Sequence, residues 1–319
     1  MPTLRQLRYL VAVAETLSFR RAAESCHVSQ PTLSDQIREL EERLKVQLVE
    51  RSRRRVVMTP VGREVADRAR RVLRDVQDIV DLAERGRHIL EGTLRLGVLP
   101  SLGPYLMPLI LPYLHQRHPR LALYLREDTA AGLIRRLEEG DLDLLLYPVP
   151  MRRAGISVTV LFREPLWLAL PNDHPIGAKH RLAAADLEGL TVLALESGHS
   201  LHGKVLALCR QHGAQPFFDF ATTSLDTLRQ MAAMGMGATF LPSLYVRAAV
   251  RRDPQLVVRP FEDPSPCRDI GLVWRSGSAR RNEYLALAAH IREVLAAEVP
   301  EVSILDDGDA APASVPDAV

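Results

Sequence analysis

The chain has 319 residues, 47% apolar, 25% charged and 5% aromatic, enough for one large domain or two to three ordinary ones with several buried cores. These near-average fractions exclude a wholly disordered, collagenous or membrane-embedded chain. No apolar run is long enough to span a bilayer, and Met1-Pro2-Thr3-Leu4-Arg5 opens no apolar signal core. Three cysteines, Cys26, Cys209 and Cys267, are too few and too scattered for a disulfide framework or a structural zinc site. A reducing cytoplasm is the expected compartment, with no metal and no cofactor. The net charge is only +2, but from Arg51 to Arg74 nine arginines stand against two acids, a local density suited to phosphate.

Leu4, Leu7, Leu10, Val11 and Ala14 recur at helical spacing up to the breaker Thr16-Leu17-Ser18. Ser18 is placed to N-cap a second helix from Phe19 to Ser25, whose Ala22-Ala23 pair permits close helix approach. After the turn Cys26-His27-Val28, Ser29 N-caps a third helix that tolerates Pro31 in its first turn. Leu33, Ile37, Leu40 and Leu44 form its buried stripe, and Thr32, Ser34, Asp35, Gln36 and Arg38 its polar face. Two short helices around a tight turn describe a helix-turn-helix. That reading brings Ser29, Gln30, Pro31, Thr32, Ser34, Gln36 and Arg38 to the major groove, where short hydroxyl and amide groups reach phosphates and base edges. The plain alternative is a small helical bundle with an ordinary polar face.

Leu48 to Thr59 reads as two short strands around a basic turn, a wing that puts Arg51, Arg53 and Arg54 at flanking phosphate or minor groove. Thr59-Pro60-Val61-Gly62 then caps a long helix. In it Val65, Ala69, Val72, Val76, Ile79 and Ala83 make a heptad seam, which calls for a partner helix and hence a dimer. Past Gly92 strands and helices alternate. Strands are expected over Leu94–Leu99, Leu121–Leu125, Leu142–Tyr147, Val192–Leu195, Phe217–Phe220, Thr239–Leu241, Leu256–Val258 and Ile270–Trp274. Helices start at Gly103 and about His202, close at Gly140, follow Ser224 and end the chain from Arg280. Such alternation argues a doubly wound α/β sheet, and its length two lobes. Ser101, the Gly198-His199-Ser200 turn and Ser224 fall at strand ends and helix starts, where α/β sheets bind ligands, although such serines also serve simply as caps. Ser200, between a strand and a helix, also admits an esterase nucleophile elbow. The elbow needs small residues on both sides, and His202 stands where a glycine belongs.

Several segments together resemble the LysR-type transcriptional regulators: Leu7 to Glu15, Ser18 to Ala23, Val28 to Ser34, Gln36 to Leu44 and the Arg51 to Gly62 stretch. The resemblance runs along nearly the whole chain and stops near Ile304. It is closest to the OxyR-type hydrogen peroxide sensors, through Phe19 to Leu33, Val98 to Leu106, Thr223 to Arg229 and Ile270 to Arg275. It implies an α/β protein with an N-terminal winged helix-turn-helix over residues 1–59 and a linker and dimerisation helix over 60–91. A two-lobed, periplasmic-binding-protein-like effector module follows over 92–304, with lobe I at about 92–162 and 268–304 and lobe II at about 163–267. The acidic tail 305–319 is expected to be disordered. The resemblance further implies transcriptional control through double-stranded DNA, dimers paired into tetramers, contact with RNA polymerase, an effector that is a small molecule or hydrogen peroxide, and no membrane.

In the peroxide sensors a reactive cysteine follows Gly-His, and a second cysteine nine positions later resolves it as a disulfide. Here the second is Cys209, but the first position is Ser200, whose hydroxyl cannot become a sulfenate or bridge to sulfur. Ser101, His199 and Arg268 match positions the family uses around the reactive centre, whereas Ala130 lies where the family usually has a hydroxyl. The expected effector pocket is therefore Ser101, His199, Ser200, Cys209, Ser224 and Arg268, with the thiol switch disabled. Two accounts of Ser200 stay open: a substitution that traps the reduced conformation, or a divergence that leaves another signal or none. Cys26 is expected as a packed core thiol, Cys209 as buried and inert, and Cys267 as a crossover-loop residue.

Overall fold

The computed structural model describes residues 1–51, 56–84, 90–219, 222–250 and 253–306. It divides into two compact units, 1–87 and 88–319.

In the first unit α1 (Leu4–Thr16), α2 (Phe19–Ser25) and α3 (Gln30–Leu44) pack around one core, followed by the antiparallel pair β1 (Val49–Arg51) and β2 (Val56–Met58) and by α4 (Pro60–Glu84). Each start is a cap. Thr3 and Gln6 form a capping box on α1, Ser18 Oγ accepts from Arg21 N, and Ser29 Oγ accepts from Thr32 N at 3.3 Å. Thr59 Oγ1 accepts from Gly62 N at 2.9 Å to begin α4. The glycine is required there, because a Cβ on Gly62 would fall 2.0 Å from the Leu48 carbonyl oxygen. The α1 face differs from the expected one. Gln6, Tyr9, Leu10, Ala12 and Val13 are buried while Leu4 is exposed, so the helix is rotated by about one position. On α4, Ala66 and Ala69 are buried but Val72 and Ile79 are exposed. The expected basic turn, with Arg53 and Arg54, lies outside the described residues, as does most of the tail, 307–319.

The second unit runs β3 (Gly92–Val98), α5 (Gly103–Arg117), β4 (Leu121–Glu127), α6 (Ala130–Glu139), β5 (Leu144–Val149), β6 (Ile156–Pro171), β7 (Thr191–Leu193), α7 (His202–His212) and β8 (Gln215–Phe217). It continues with α8 (Leu225–Ala233), β9 (Ala238–Pro242), the short α9 (Ser243–Tyr245), β10 (Leu256–Arg259), β11 (Cys267–Arg275), α10 (Arg281–Glu298) and β12 (Ser303–Ile304). The strands line up as β4-β3-β5-β11-β6-β9-β7-β8, with β10 and β12 also paired to β6. β3 is parallel to β4 and β5, and β7 to β8 and β9, but β6 runs antiparallel to β11 and β9. The sheet is thus mixed, and two antiparallel strands join its parallel halves.

The resemblance implied crossovers near Phe162-Arg163 and Cys267-Arg268, which fall in β6 and at the start of β11, but no strand was expected over 156–171. β6 has sixteen residues, and its inward side changes partners midway: Leu161 and Phe162 belong to one apolar core, Leu166, Leu168 and Leu170 to the other. Because β6 serves both cores and β11 pairs with its first half, from Ile156 to Pro165, the two strands form the hinge between two lobes. Cys267 opens β11 rather than sitting in a loop, and is half-buried. No helix among the described residues is long and apolar enough to cross a membrane.

Candidate functional site

On the first unit the residues assigned to the major groove cluster at the start of α3. Ser29, Gln30, Pro31, Thr32 and Arg38 are exposed, and Ser34 and Gln36 half-buried. The fold has already committed some of their groups. Ser29 Oγ caps the helix and lies 2.7 Å from Thr32 Oγ1, Arg38 sits 3.8 Å from Asp35, and Gln36 Nε2 donates to Glu39 at 3.0 Å. Gln30, Pro31, Thr32 and Arg38 therefore make the outward surface, while Gln36 helps hold the α1–α3 contact, where Gln6 Nε2 also donates to Glu39. Arg51 lies on β1.

On the second unit the hinge carries a buried polar cluster. Arg268, near the start of β11, donates from Nε to Glu164 Oε2 at 2.8 Å, from Nη1 to Ser101 Oγ at 3.0 Å and from Nη2 to the Ser101 carbonyl at 2.9 Å. The other carboxylate oxygen of Glu164 accepts from Leu244 N at 2.9 Å. Arg268 and Glu164 are 3% and 0% exposed on their side chains, so this ion pair survives in the interior only because hydrogen bonds satisfy both ends. Ser101 belongs to the turn before α5 and Leu244 to α9, so one arginine and one glutamate tie both lobes to the hinge. Ser101 is consequently more than a cap: α5 has Leu102 at its N-cap, and the serine serves Arg268.

His199 and Ser200 occupy the turn between β7 and α7. His199 Nδ1 accepts from Leu201 N at 3.3 Å, while His199 Nε2 and Ser200 Oγ are buried polar atoms without a hydrogen-bond partner. Two such atoms on adjacent residues leave hydrogen-bonding capacity unused in the interior. Burial first, then the charges of Arg268 and His202, push the His199 imidazole down to about 4. Cys209 lies on α7, fully buried, and burial raises its thiol above the usual range. Ser224 spends its hydroxyl on capping α8, accepting from Thr227 N at 3.4 Å. Glu164 was the residue missed. Its signal was a lone carboxylate among Leu161, Phe162, Leu166 and Leu168, at a position that alternation turns inward.

The His199 shift fixes a pH response. In the unfolded chain the imidazole titrates near 6.5, in the folded one near 4. The unfolded state takes up the proton first as pH falls, so the contribution of neutral His199 is complete above about pH 6.5 and is lost progressively between about 6.5 and 4. Denaturant midpoints across that window should decline more shallowly in His199→Asn than in the parent. Parallel declines would refute the assignment.

A winged helix-turn-helix with an outward third helix, joined to a two-lobed α/β module with a polar cluster at its hinge, defines a DNA-binding regulator carrying a sensing module. The family models agree: residues 4–63 match the bacterial regulatory helix-turn-helix protein, lysR family, and residues 87–296 the LysR substrate binding domain. The chain belongs to the LysR family of transcriptional regulators. It is 44% identical over 289 residues to the DNA-binding transcriptional dual regulator OxyR of Escherichia coli strain K12, covering 91% of this chain and 94% of that protein. It is 42% identical over 300 residues to the hydrogen peroxide-inducible genes activator of Dickeya chrysanthemi, covering 94% and 98%. Among solved structures, a cysteine-to-aspartate variant of full-length OxyR from Pseudomonas aeruginosa matches with a TM-score of 0.75 and 36% identity, covering 92% of this chain and 98% of that one. A hydrogen peroxide-bound cysteine-to-serine mutant of Corynebacterium glutamicum OxyR matches with a TM-score of 0.65 and 32% identity, covering 93% of each. The protein is thus a LysR-type DNA-binding transcriptional regulator close to the OxyR peroxide-inducible activators.

Proposed function

We propose that this regulator controls oxidative-stress genes by reading a palindromic operator with Gln30, Pro31, Thr32 and Arg38, helped by Ser29, Ser34, Gln36 and the wing arginines Arg51, Arg53 and Arg54. Its peroxide-type pocket lacks the reactive thiol because Ser200 stands in its place. The observation that carries the reading is the bond of Arg268 to Ser101 in the hinge together with the charge of that arginine acting on His199, whose Nε2, like Ser200 Oγ, has no hydrogen-bond partner. It acts as a dimer through α4, whose exposed Val72 and Ile79 call for a second copy. Dimers pair into tetramers and engage RNA polymerase in the cytoplasm. The protein is a regulator rather than an enzyme. The elbow reading would take its base from His290, with Asp226 or Asp253 behind it, but Ser200 Oγ has no hydrogen-bond partner and His290 Nε2 pairs with His118 Nε2 at 3.0 Å. A second reading, a LysR-type regulator with a different small-molecule effector, draws on Ala130. As the first residue of α6 it brings a methyl group where the peroxide sensors have a hydroxyl.

DNA binding tests the reading. Affinity for a palindromic duplex should fall steeply and log-linearly with salt. Gln30→Ala or Thr32→Ala should cost about 1–3 kcal/mol of discrimination between operator and scrambled duplex while leaving the salt slope nearly unchanged. A salt-insensitive association, or discrimination untouched by both substitutions, would overturn it.

A further inference from the structure

We propose that His118 and His290 form a binding site for a divalent transition-metal ion on the seam between α5 and α10. The site does not rest on the peroxide reading. His118 is the residue that ends α5, and His290 lies within α10. Their Nε2 atoms are 3.0 Å apart, with ring centroids 4.9 Å apart and planes inclined by 52°. That centroid separation is shorter than two rings meeting on one straight axis would give, so the ring axes bend toward a common point beside the two nitrogens. Two imidazoles on one tetrahedral ion, with bonds of about 2.0–2.1 Å, hold their nitrogens about 3.3 Å apart. Only a few tenths of an ångström of opening would seat the ion.

The far side of His290 is held by a relay. Its Nδ1 lies 3.4 Å from Tyr113 Oη, and Tyr113 donates to Glu293 Oε2 at 2.6 Å, that oxygen standing 3.7 Å from Nδ1. With its proton given to Glu293, the Tyr113 oxygen accepts from Nδ1–H, which leaves the Nε2 lone pair turned toward His118. The guanidinium of Arg117, 5.7 Å from the Tyr113 ring centroid, is a nearby positive charge that opposes the ion. Among the described residues no set of three histidine, cysteine or carboxylate ligands is formed, so water completes the shell. His290 keeps 16% of its side chain exposed, leaving solvent a route in. Neutral imidazoles select Ni²⁺, Cu²⁺ or Zn²⁺ over Mg²⁺ and Ca²⁺. Because the two residues are 172 positions apart in sequence, the ion would clip the carboxyl-terminal helix to the first helix of this unit.

Titration calorimetry of the untagged full chain with Ni²⁺ tests this. One site per chain is expected, absent in His118→Gln and in His290→Gln, and 10–100-fold weaker in Glu293→Gln, which keeps both ligands. Ni²⁺ should also raise the thermal midpoint of the parent and not that of His118→Gln. No Ni²⁺ site in the parent, an isotherm unchanged in both histidine variants, or equal affinity for Mg²⁺ would overturn the proposal. Should a histidine variant fail to fold, Glu293→Gln decides alone: its side chain is 57% exposed, and parent-like affinity there would refute the arrangement.

Discussion

Replacing Arg268 with alanine is expected to destabilise the α/β unit by about 3–5 kcal/mol, a fall in its thermal midpoint of roughly 6–20 °C for a unit of this size. The reason is the charge left behind. Without the guanidinium, Glu164 keeps only Leu244 N as a partner, and Ser101 loses donors to both its hydroxyl and its carbonyl, all in the interior. Glu164→Ala strands the arginine in the same way. The double substitution Arg268→Leu with Glu164→Leu removes both charges and should recover much of the loss, since the pair itself yields little net stability over an apolar replacement. A double variant as unstable as the sum of the singles would show that the cluster acts by independent contacts and not as a coupled pair. The effect should be confined to residues 88–319, with operator affinity at low temperature lost less than stability.

The same cluster shows where sequence reasoning stops. Caps are local, so Ser18, Ser29 and Ser224 were legible from a few neighbouring residues, as was the third helix from its 4-3-4 stripe. The wing strands and most strands of the α/β unit were placed within a few residues for the same reason. β6 was not, because a strand that serves two cores carries two inward faces in succession and no single alternation. The partnership of Arg268 with Glu164 spans 104 positions and leaves no periodic trace. The α1 face was misread because Gln6, a polar residue, is buried by its capping box and its bond to Glu39, which turns the helix away from the purely apolar solution. For the pocket, the resemblance supplied Ser101, His199 and Arg268, and the geometry supplied what joins two of them.

In Ser200→Cys, treatment with hydrogen peroxide should produce an intramolecular disulfide to Cys209, where the parent chain forms none. The position favours a reactive thiol. It lies just before α7, whose first N–H groups lack intrahelical partners, and next to His199, whose imidazole is lowered by burial first and then by the positive charge of Arg268; helix N–H groups and that charge both lower the free energy of a thiolate. The thiolate attacks one peroxide oxygen, breaking the O–O bond and expelling hydroxide, which takes up the proton the thiol gave off and leaves as water; the Cys209 sulfur then displaces a second water from the sulfenic acid as the S–S bond forms. Geometry adds a condition. From His202 to Cys209 the helix rises about 10 Å, whereas a disulfide needs Cα atoms about 4.4–6.8 Å apart. The amino-terminal turns of α7 must therefore unwind before the bond closes, and burial keeps Cys209 protonated until they do. Oxidation of the variant should accordingly consume two thiols by alkylation assay, increase mobility on non-reducing gels and reduce far-UV helix signal, all reversed by dithiothreitol. The parent should show none of the three. Free thiols throughout in oxidised Ser200→Cys would dismiss the correspondence of Ser200 with a peroxide-reactive position. A bond formed with no loss of helix would dismiss the unwinding step. In the parent, a reversible peroxide-dependent change of DNA footprint that persists in Cys209→Ala would show that the switch is not disabled at all.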